Sequence, residues 1–435
     1  MALTISIALI TTLLMIVSVL TKPYIKIGTK QIGLYWIICF IGALFTLLTG
    51  CVSPEAVFMG LTANTSVNPL KILTLFLSMT FLSVYLGEAG FFDYVADTVF
   101  LKSKGGQLKL FFILYAVVSV LTVFTSNDVI ILTFTPPICI FAKKVKISPH
   151  PFLFGEFIAA NTWSMALIIG NPTNVYLAQS AGINFTQYFS VMFLPAIAGG
   201  ITSLVVLLFI FRKQLALPVG KAEPEPKQTT VHLSKVPMIV AIVHLLIGII
   251  LLAIADVLHM EMYLICLLLA LSLIAFDVVY ELVVVHSVKP VIKSLKKEPY
   301  ELIPFVLSMF IIVLALKQSG ATQIVAQNLI TNTKLDCLSF GVLSTFGANL
   351  LNNIPMSVLF EKIISGQSLF AVYGSIIGAN VGAFLTPVGA LAGIMWSKIL
   401  STYGVAMPFK KFVFYGSIIA TATLLASVGV LCLAL

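Results

Sequence analysis

The sequence predicts an all-α polytopic membrane protein built as two inverted repeats, each with five transmembrane helices and one re-entrant helical hairpin. Three observations predict it. Of 435 residues, 60% are hydrophobic and only 9% charged, where a soluble domain carries roughly 25% charged residues; mean hydropathy is +1.10. Apolar runs recur from Leu3 to Leu435, many near the ~20 residues that cross a bilayer as a helix. The runs are continuous rather than alternating, which excludes a β-barrel. Several are interrupted by Asn, Gly or Pro, and the interruptions come in pairs.

Residues 3–20 form the first span, retained rather than cleaved because no basic stretch precedes the apolar run. Five basic stretches then mark cytoplasmic loops: Lys22 to Lys30, Lys102 to Lys109, Lys143 to Lys146, Arg212 to Lys235 and Lys289 to Lys297. The net charge of +9 is therefore a topology signal and does not point to nucleic acid. Between the loops lie spans 32–50 and 71–88. Residues 110–142 begin and end at cytoplasmic loops and break at Ser126-Asn127-Asp128 and at Pro136-Pro137. Each arm is about 16 residues, short for a crossing, so this segment is a re-entrant hairpin. Spans 152–177 and 187–211 complete the first repeat, 1–211.

A cytoplasmic linker, 212–236, carries Pro224, Glu225 and Pro226 and has little to pack. The second repeat, 237–435, holds spans 237–255, 262–280 and 302–316, a hairpin at about 338–365, and spans 370–396 and 411–434. That hairpin breaks at Asn352-Asn353-Ile354-Pro355. The first repeat starts outside and the second inside, so the halves are inverted copies placed in the cell membrane. Internal matches support the repeat. Leu77-Ser78-Met79 with Gly90 matches Leu307-Ser308-Met309 with Gly320; Asn127-Asp128 matches Asn352-Asn353; Ala160-Asn161-Thr162 matches Ala379-Asn380-Val381.

Broken helices carry the function. Unpaired backbone groups cost several kcal/mol each in lipid, so paired breaks must face each other or line a wet cavity. Half-helix ends then aim partial charges at the bilayer centre. The result is a polar pocket for a small inorganic solute or ion, the signature of a secondary transporter and not of an enzyme. Its candidate substrate-binding residues are Ser126, Asn127, Asn161, Asn171, Thr173, Asn352, Asn353, Asn380 and Thr386. Asp128, an acid at a hairpin tip, is the candidate site for the coupling ion, H+ or Na+; the competing role is capping the hairpin's second helix. Its partner position is Asn353, so the pocket holds one acid. Glu156 falls near the cytoplasmic entrance of its span, Asp277 near a span end, and Glu361 with Lys362 forms an interfacial pair. Trp163 walls the pocket or packs elsewhere. The six cysteines form no close pair, so neither a disulfide nor a metal site is expected, and no Walker-type loop or other cofactor motif is present. An ion channel or a membrane scaffold is the reading from another class, separable by turnover and by tolerance of the hairpin breaks.

Several stretches give the chain a family resemblance. LGEAGFF at 86–92, SNDVIILTFTP at 126–136, GINFTQYFSVM at 182–192 with FRK at 211–213, LNNIP at 351–355 and GANVGAFLTPVGALAGIMW at 378–396 resemble the ArsB-type arsenite permeases. These sit within an ion-transporter superfamily that also holds NhaD-type Na+/H+ antiporters and dicarboxylate or citrate carriers. Residues 160–174 are more similar to the anion and Na+/H+ branches. The resemblance implies inward and outward hairpins, a site between their tips, alternating access, and proton-coupled arsenite or antimonite efflux. Na+/H+ antiport and anion permeation are the alternatives it leaves; a homodimer and a separate ATPase subunit also stay open. Chemistry weighs the same way. No Lys or Arg is expected in the pocket to compensate a dicarboxylate, although helix N-termini and Na+ could do so. Neutral arsenous acid offers hydroxyl groups that the Asn amides suit. Na+ would suit Asp128 with carbonyl oxygens.

Overall fold

A computed structural model describes all residues except 22–23, 28–29, 65–67, 103–105, 220–234, 256, 286–291, 293, 297–298, 365 and 367. The linker at 212–236 and three basic loops fall partly or largely on these, so those expectations lie outside the described residues. The first half runs α1 (Ala2–Thr21), a two-stranded antiparallel ribbon of β1 (Tyr24–Ile27) and β2 (Lys30–Gly33), α2 (Leu34–Leu48), α3 (Pro54–Thr62), α4 (Pro69–Glu88), α5 (Phe91–Lys102), α6 (Gln107–Phe124), α7 (Asn127–Lys144), α8 (His150–Trp163), α9 (Pro172–Ser180) and α10 (Phe185–Leu215). The second half runs α11 (Lys235–Ala253), α12 (Met262–Tyr280), α13 (Leu302–Gln318), α14 (Ala321–Leu329), α15 (Leu335–Leu351), α16 (Asn353–Ile364), α17 (Leu369–Val381), α18 (Leu391–Thr402) and α19 (Phe409–Ala434).

Every regular element among the described residues is helical apart from the small ribbon, which the hydropathy pattern does not signal. Six described helices are long and apolar enough to cross a bilayer: α4, α6, α10, α11, α12 with its extension to Val284, and α19. The other expected spans are shorter or broken. The span expected at 152–177 is α8 and α9 joined by two tight turns, and that at 370–396 is α17 and α18 joined by one. The arms of the first break, α6 and α7, are 18 residues each rather than about 16. Each cap explains a boundary. Asn68 caps α4 by accepting from the Leu70 N–H at 2.8 Å, and Pro69 supplies the first helical position. Gly90 and Gly320, at φ 87° and 79°, turn the corners from α4 to α5 and from α13 to α14, a left-handed conformation that favours glycine.

The order α4 to α10 recurs as α13 to α19. In both halves a helix, its return and a third helix form one unit. Asn127 bonds Asn161 and Thr135 bonds Glu156, so α7 runs antiparallel to α8. Phe111 of α6 meets Phe152 and Gly155 at the start of α8, so α6 and α8 are parallel. In the second half a Cβ at Gly374 would strike Cys337 O, and one at Gly378 would strike Gly341 O. These steps of four on both helices make α15 and α17 parallel and nearly touching, as small residues allow. Ser368 Oγ, at the cap of α17, donates to Asp336 Oδ2 of α15 at 2.8 Å, and the return helix α16 packs against both.

The two sets then interlock: α7 packs on α18, α16 on α9, α10 along α19, α4 on α12 and α13 on α2. An aromatic cluster of Phe154, Phe157, Phe211, Trp396, Phe412 and Tyr415 fastens α8, α10, α18 and α19 together.

Candidate functional site

The polar residues at the breaks form two hydrogen-bonded groups. The larger one crosses between the halves. Asn127 Nδ2 at the start of α7 donates to Asn161 Oδ1 at 3.1 Å, and Asn161 Nδ2 donates to Phe157 O at 2.8 Å. The Ser164 hydroxyl lies 2.9 Å from both Asn161 O and Asn380 Oδ1. Asn380 Oδ1 also accepts from Asn171 Nδ2 at 3.0 Å, while its Nδ2 donates to Asn174 Oδ1 at 2.7 Å and to Ile376 O at 2.8 Å. Asn174 Nδ2 donates in turn to Ser164 O and Leu167 O in the broken stretch after α8. Asn161 and Asn380 thus play the same local part, each amide turned back on the carbonyl four residues earlier.

The Asn380 amide donates twice from Nδ2 and accepts from Asn171 Nδ2, and its second acceptor position shares the single Ser164 hydroxyl proton with Asn161 O. Asn380 ties the first half's break to α17. Asn171 Oδ1 accepts from the Thr173 N–H at 3.1 Å and caps α9.

The second group surrounds the other break. Asn352 Nδ2 donates to Val388 O at 3.0 Å, and the Asn353 N–H donates to Gly389 O at 3.1 Å. Thr386 Oγ1 donates to Asn349 Oδ1 at 2.6 Å, and Asn349 Nδ2 donates to Thr345 O and Gly382 O. The structure therefore brings Asn127, Asn161, Asn171 and Asn380 into one network and Asn352, Asn353 and Thr386 into another. Of the expected residues, Thr386 is half-buried, Asp128 is half-buried, and the rest are buried.

The hairpin tips align differently from the sequence match. Asn127 and Asn353 are each the first residue of their return helix. The residue before each caps it: Ser126 Oγ accepts from the Val129 N–H at 3.4 Å, and Asn352 Oδ1 accepts from the Ile354 N–H at 3.5 Å. Position for position, Ser126 corresponds to Asn352, Asn127 to Asn353, and Asp128 to Ile354. The match of Asn127-Asp128 to Asn352-Asn353 is off by one residue, because the pairing of like residues ignores which one caps. The cap belongs to Ser126 and not to Asp128, whose carboxylate has no hydrogen-bond or ion-pair partner among the described residues. As an acid in the first turn it still suits the positive helix end.

Both tips carry the same unmet valence. Asn127 Oδ1 and Asn353 Oδ1 are buried and have no hydrogen-bond partner among the described residues, and the hydroxyls of Thr162, Thr173 and Tyr176 have none either. Thr173 and Tyr176 line a small cavity of about 20 Å³ with Ser357 and Ile354 of α16 and Phe76 of α4. Such groups are rare in a folded interior.

Other expectations shift. Glu156 has no exposed surface, where the sequence puts it near an entrance. Glu361 and Lys362 do pair, at 2.6 Å, but are nearly buried rather than interfacial. Asp277 is buried and accepts from the Tyr85 hydroxyl, joining α12 to α4. Trp163 packs its ring on Gly200 of α10. Sequence reasoning passes over Ser164, Asn174 and Asn349. Asn174 closes the GNPTN run at 170–174, and that run was the signal available. No group of three or more His, Cys, Asp or Glu able to hold a metal occurs among the described residues.

A membrane-embedded bundle with paired helix breaks that meet at buried amides defines a membrane transporter. The CitMHS family, described as citrate transporter, matches residues 16–372, and the chain belongs to it. The arsenical pump membrane protein of Escherichia coli (strain K12) is 27% identical over 96% of this chain and 97% of its own length. The putative arsenical pump membrane protein of Bacillus subtilis (strain 168) is 24% identical over 88% and 91%. In shape the chain is similar to the Alcanivorax borkumensis YdaH transporter, with TM-score 0.60 over 99% of this chain and 97% of that one, at 14% identity. The protein is a multi-pass membrane transporter of small solutes or ions, and not an enzyme.

Proposed function

We propose that this transporter extrudes arsenite or antimonite from the cell in exchange for protons, across a site between its two helix breaks. The observation that carries the reading is the chemistry of the unmet valences. They are amide oxygens on Asn127 and Asn353 and hydroxyls such as Thr173, with the Asp128 carboxylate beside Asn127. Oxygens that lack a donor suit a neutral solute that brings hydroxyl hydrogens. They oppose a carboxylate solute, which would set oxygen against oxygen, and no ion pair brings a cation to these atoms among the described residues. The relatives named as arsenical pumps support the same solute class.

In this reading Asp128 carries the coupling proton, and Asn380 and Asn161 position the site rather than touch the solute. The two breaks are re-entrant, the halves are inverted in the membrane, and alternating access moves the break units against α4, α13 and their partners. No cofactor is needed. A homodimer or an added ATPase subunit would change the assembly and not the site. Na+ is the second reading, because free oxygens and one carboxylate are also what a hard cation takes.

The test is proteoliposomes with an internal pH dye, given arsenite, Na+ and a dicarboxylate in turn. Arsenite alone is expected to trigger proton movement, and Asp128→Asn is expected to abolish it while leaving unlabelled-for-labelled solute exchange. A response to Na+ alone moves the protein to the second reading. A response to the dicarboxylate alone refutes the argument from the oxygens.

A further inference from the structure

We infer that Glu156 is a second proton-binding site, one that acts on the packing of α7 against α8. Glu156 lies on α8 five residues before Asn161, fully enclosed. From α7, Thr135 Oγ1 stands 2.7 Å from Glu156 Oε1 and 2.6 Å from Ile131 O. A threonine hydroxyl has one proton. If that proton goes to Ile131 O, the short contact to Glu156 requires a proton on the carboxyl, donated to Oγ1. If it goes to an ionised Glu156, the contact to Ile131 O sets two lone pairs together. Only the protonated acid satisfies both contacts at once.

The remaining surroundings supply no counter-charge. Glu156 Oε2 has no hydrogen-bond partner among the described residues. From α18 the Trp396 indole N–H faces the carboxyl without meeting hydrogen-bond geometry. From α7 the titratable neighbour is Cys139. From α10 and α19 the residues packed around Phe154 and Phe157 are aromatic. No Lys, Arg or His pairs with Glu156 among the described residues.

The position gives the proton something to act on. Thr135 is followed by Pro136 and Pro137 inside α7. Neither has an N–H, so the carbonyls of Leu132 and Thr133 lack helical donors and the helix is weakest there. The same helix begins at Asn127 and Asp128. The contact from Thr135 to Glu156 therefore sits at the bendable turn of the element that carries the tip. In the second half the residue five before Asn380 is Ser375, buried and without a side-chain partner among the described residues, so the device is confined to the first half. The step is a proton transfer alone: water gives H+ to the carboxylate when α7 and α8 part, and takes it back when they part again.

The inference rests on the transport reading but not on which solute is carried, and its first readout needs no solute. Reconstituted protein stepped between low and high pH is followed by infrared difference spectroscopy. The Asp128→Asn protein, in which the other proposed proton carrier is gone, is expected to show the C=O band of a protonated carboxylic acid. Adding Glu156→Gln should remove it, and adding Thr135→Val, which keeps the acid but takes its partner, should shift it. A band that neither change alters overturns the inference. In the second readout Glu156→Gln keeps exchange between equal solute pools and loses at least tenfold of the flux driven by a pH gradient. Full gradient-driven flux in that variant also overturns it. If wild type moves no arsenite yet shows the Glu156 band, the proposed solute fails and the proton site stands.

Discussion

Removing the Asn380 side chain should loosen the junction between the halves by an amount the hydrogen bonds allow one to work out. In Asn380→Ala four contacts go. Ser164 keeps Asn161 O as acceptor, and Asn174 Nδ2 keeps Ser164 O and Leu167 O. Ile376 O keeps its own helical donor. Two atoms are left with nothing: Asn171 Nδ2 and Asn174 Oδ1. A stranded buried group costs about 1–3 kcal/mol, which gives roughly 2–6 kcal/mol. Interhelical hydrogen bonds inside membranes run weaker, near ~0.6 kcal/mol on average, so the low end, about 2 kcal/mol, is expected. Asn161→Ala strands only Asn127 Nδ2 and should cost about half as much. The assay is reversible unfolding in mixed micelles, run as a double-mutant cycle with Asn171→Ala, with an expected coupling of about 1 kcal/mol. A loss below about 0.5 kcal/mol together with an additive cycle would refute the claim that Asn380 is the fastening between the halves.

Two further predictions concern the tips and the close-packed pair. Asn127→Ala and Asn353→Ala remove oxygens that have no partner, so solute affinity should fall about tenfold for each, in line with one hydrogen bond of roughly 1.4 kcal/mol, and binding measured by calorimetry checks it. Gly378→Val drives a side chain into Gly341 O; α15 and α17 must separate, and the purified variant should lose its monodisperse peak on size-exclusion chromatography. Gly50→Val, at a glycine with open space around it but a φ of 70°, should cost only its backbone strain of about 1–2 kcal/mol and keep the peak.

The sequence makes the fold class and the position of the breaks readable, because lipid imposes long apolar runs and any polar break within them must be explained. Asn161 and Asn380 were identifiable for the same reason, each opening a stretch rich in Gly and Pro. Short connectors such as α3, α5 and α14 leave no hydropathy trace, being 9 to 12 residues of mixed character. The tip register failed because it is decided by backbone geometry. Asn352 sits at φ 72° and Ser126 at φ −144°, yet each caps the next helix, and identity matching joined Asn to Asn instead. Glu156 was misplaced because a linear distance from a span end says nothing about which helices close over it. Asn174 and Ser164 were missed because their partners lie across the chain, 206 and 216 residues away.

The separation of Asn174 from Asn380 sets a clock for the growing chain. Asn174 leaves the ribosome 206 residues before Asn380, and synthesis runs at about 5–20 residues per second. For roughly 10–40 s the first half's break must therefore sit in or beside the membrane with Asn171 Nδ2 and Asn174 Oδ1 lacking their Asn380 partner. Water, a lipid headgroup or the insertion machinery has to hold those groups in the meantime. Early truncation after the first half would leave them so for good, which makes a nascent chain cut before residue 380 the natural substrate for membrane quality control.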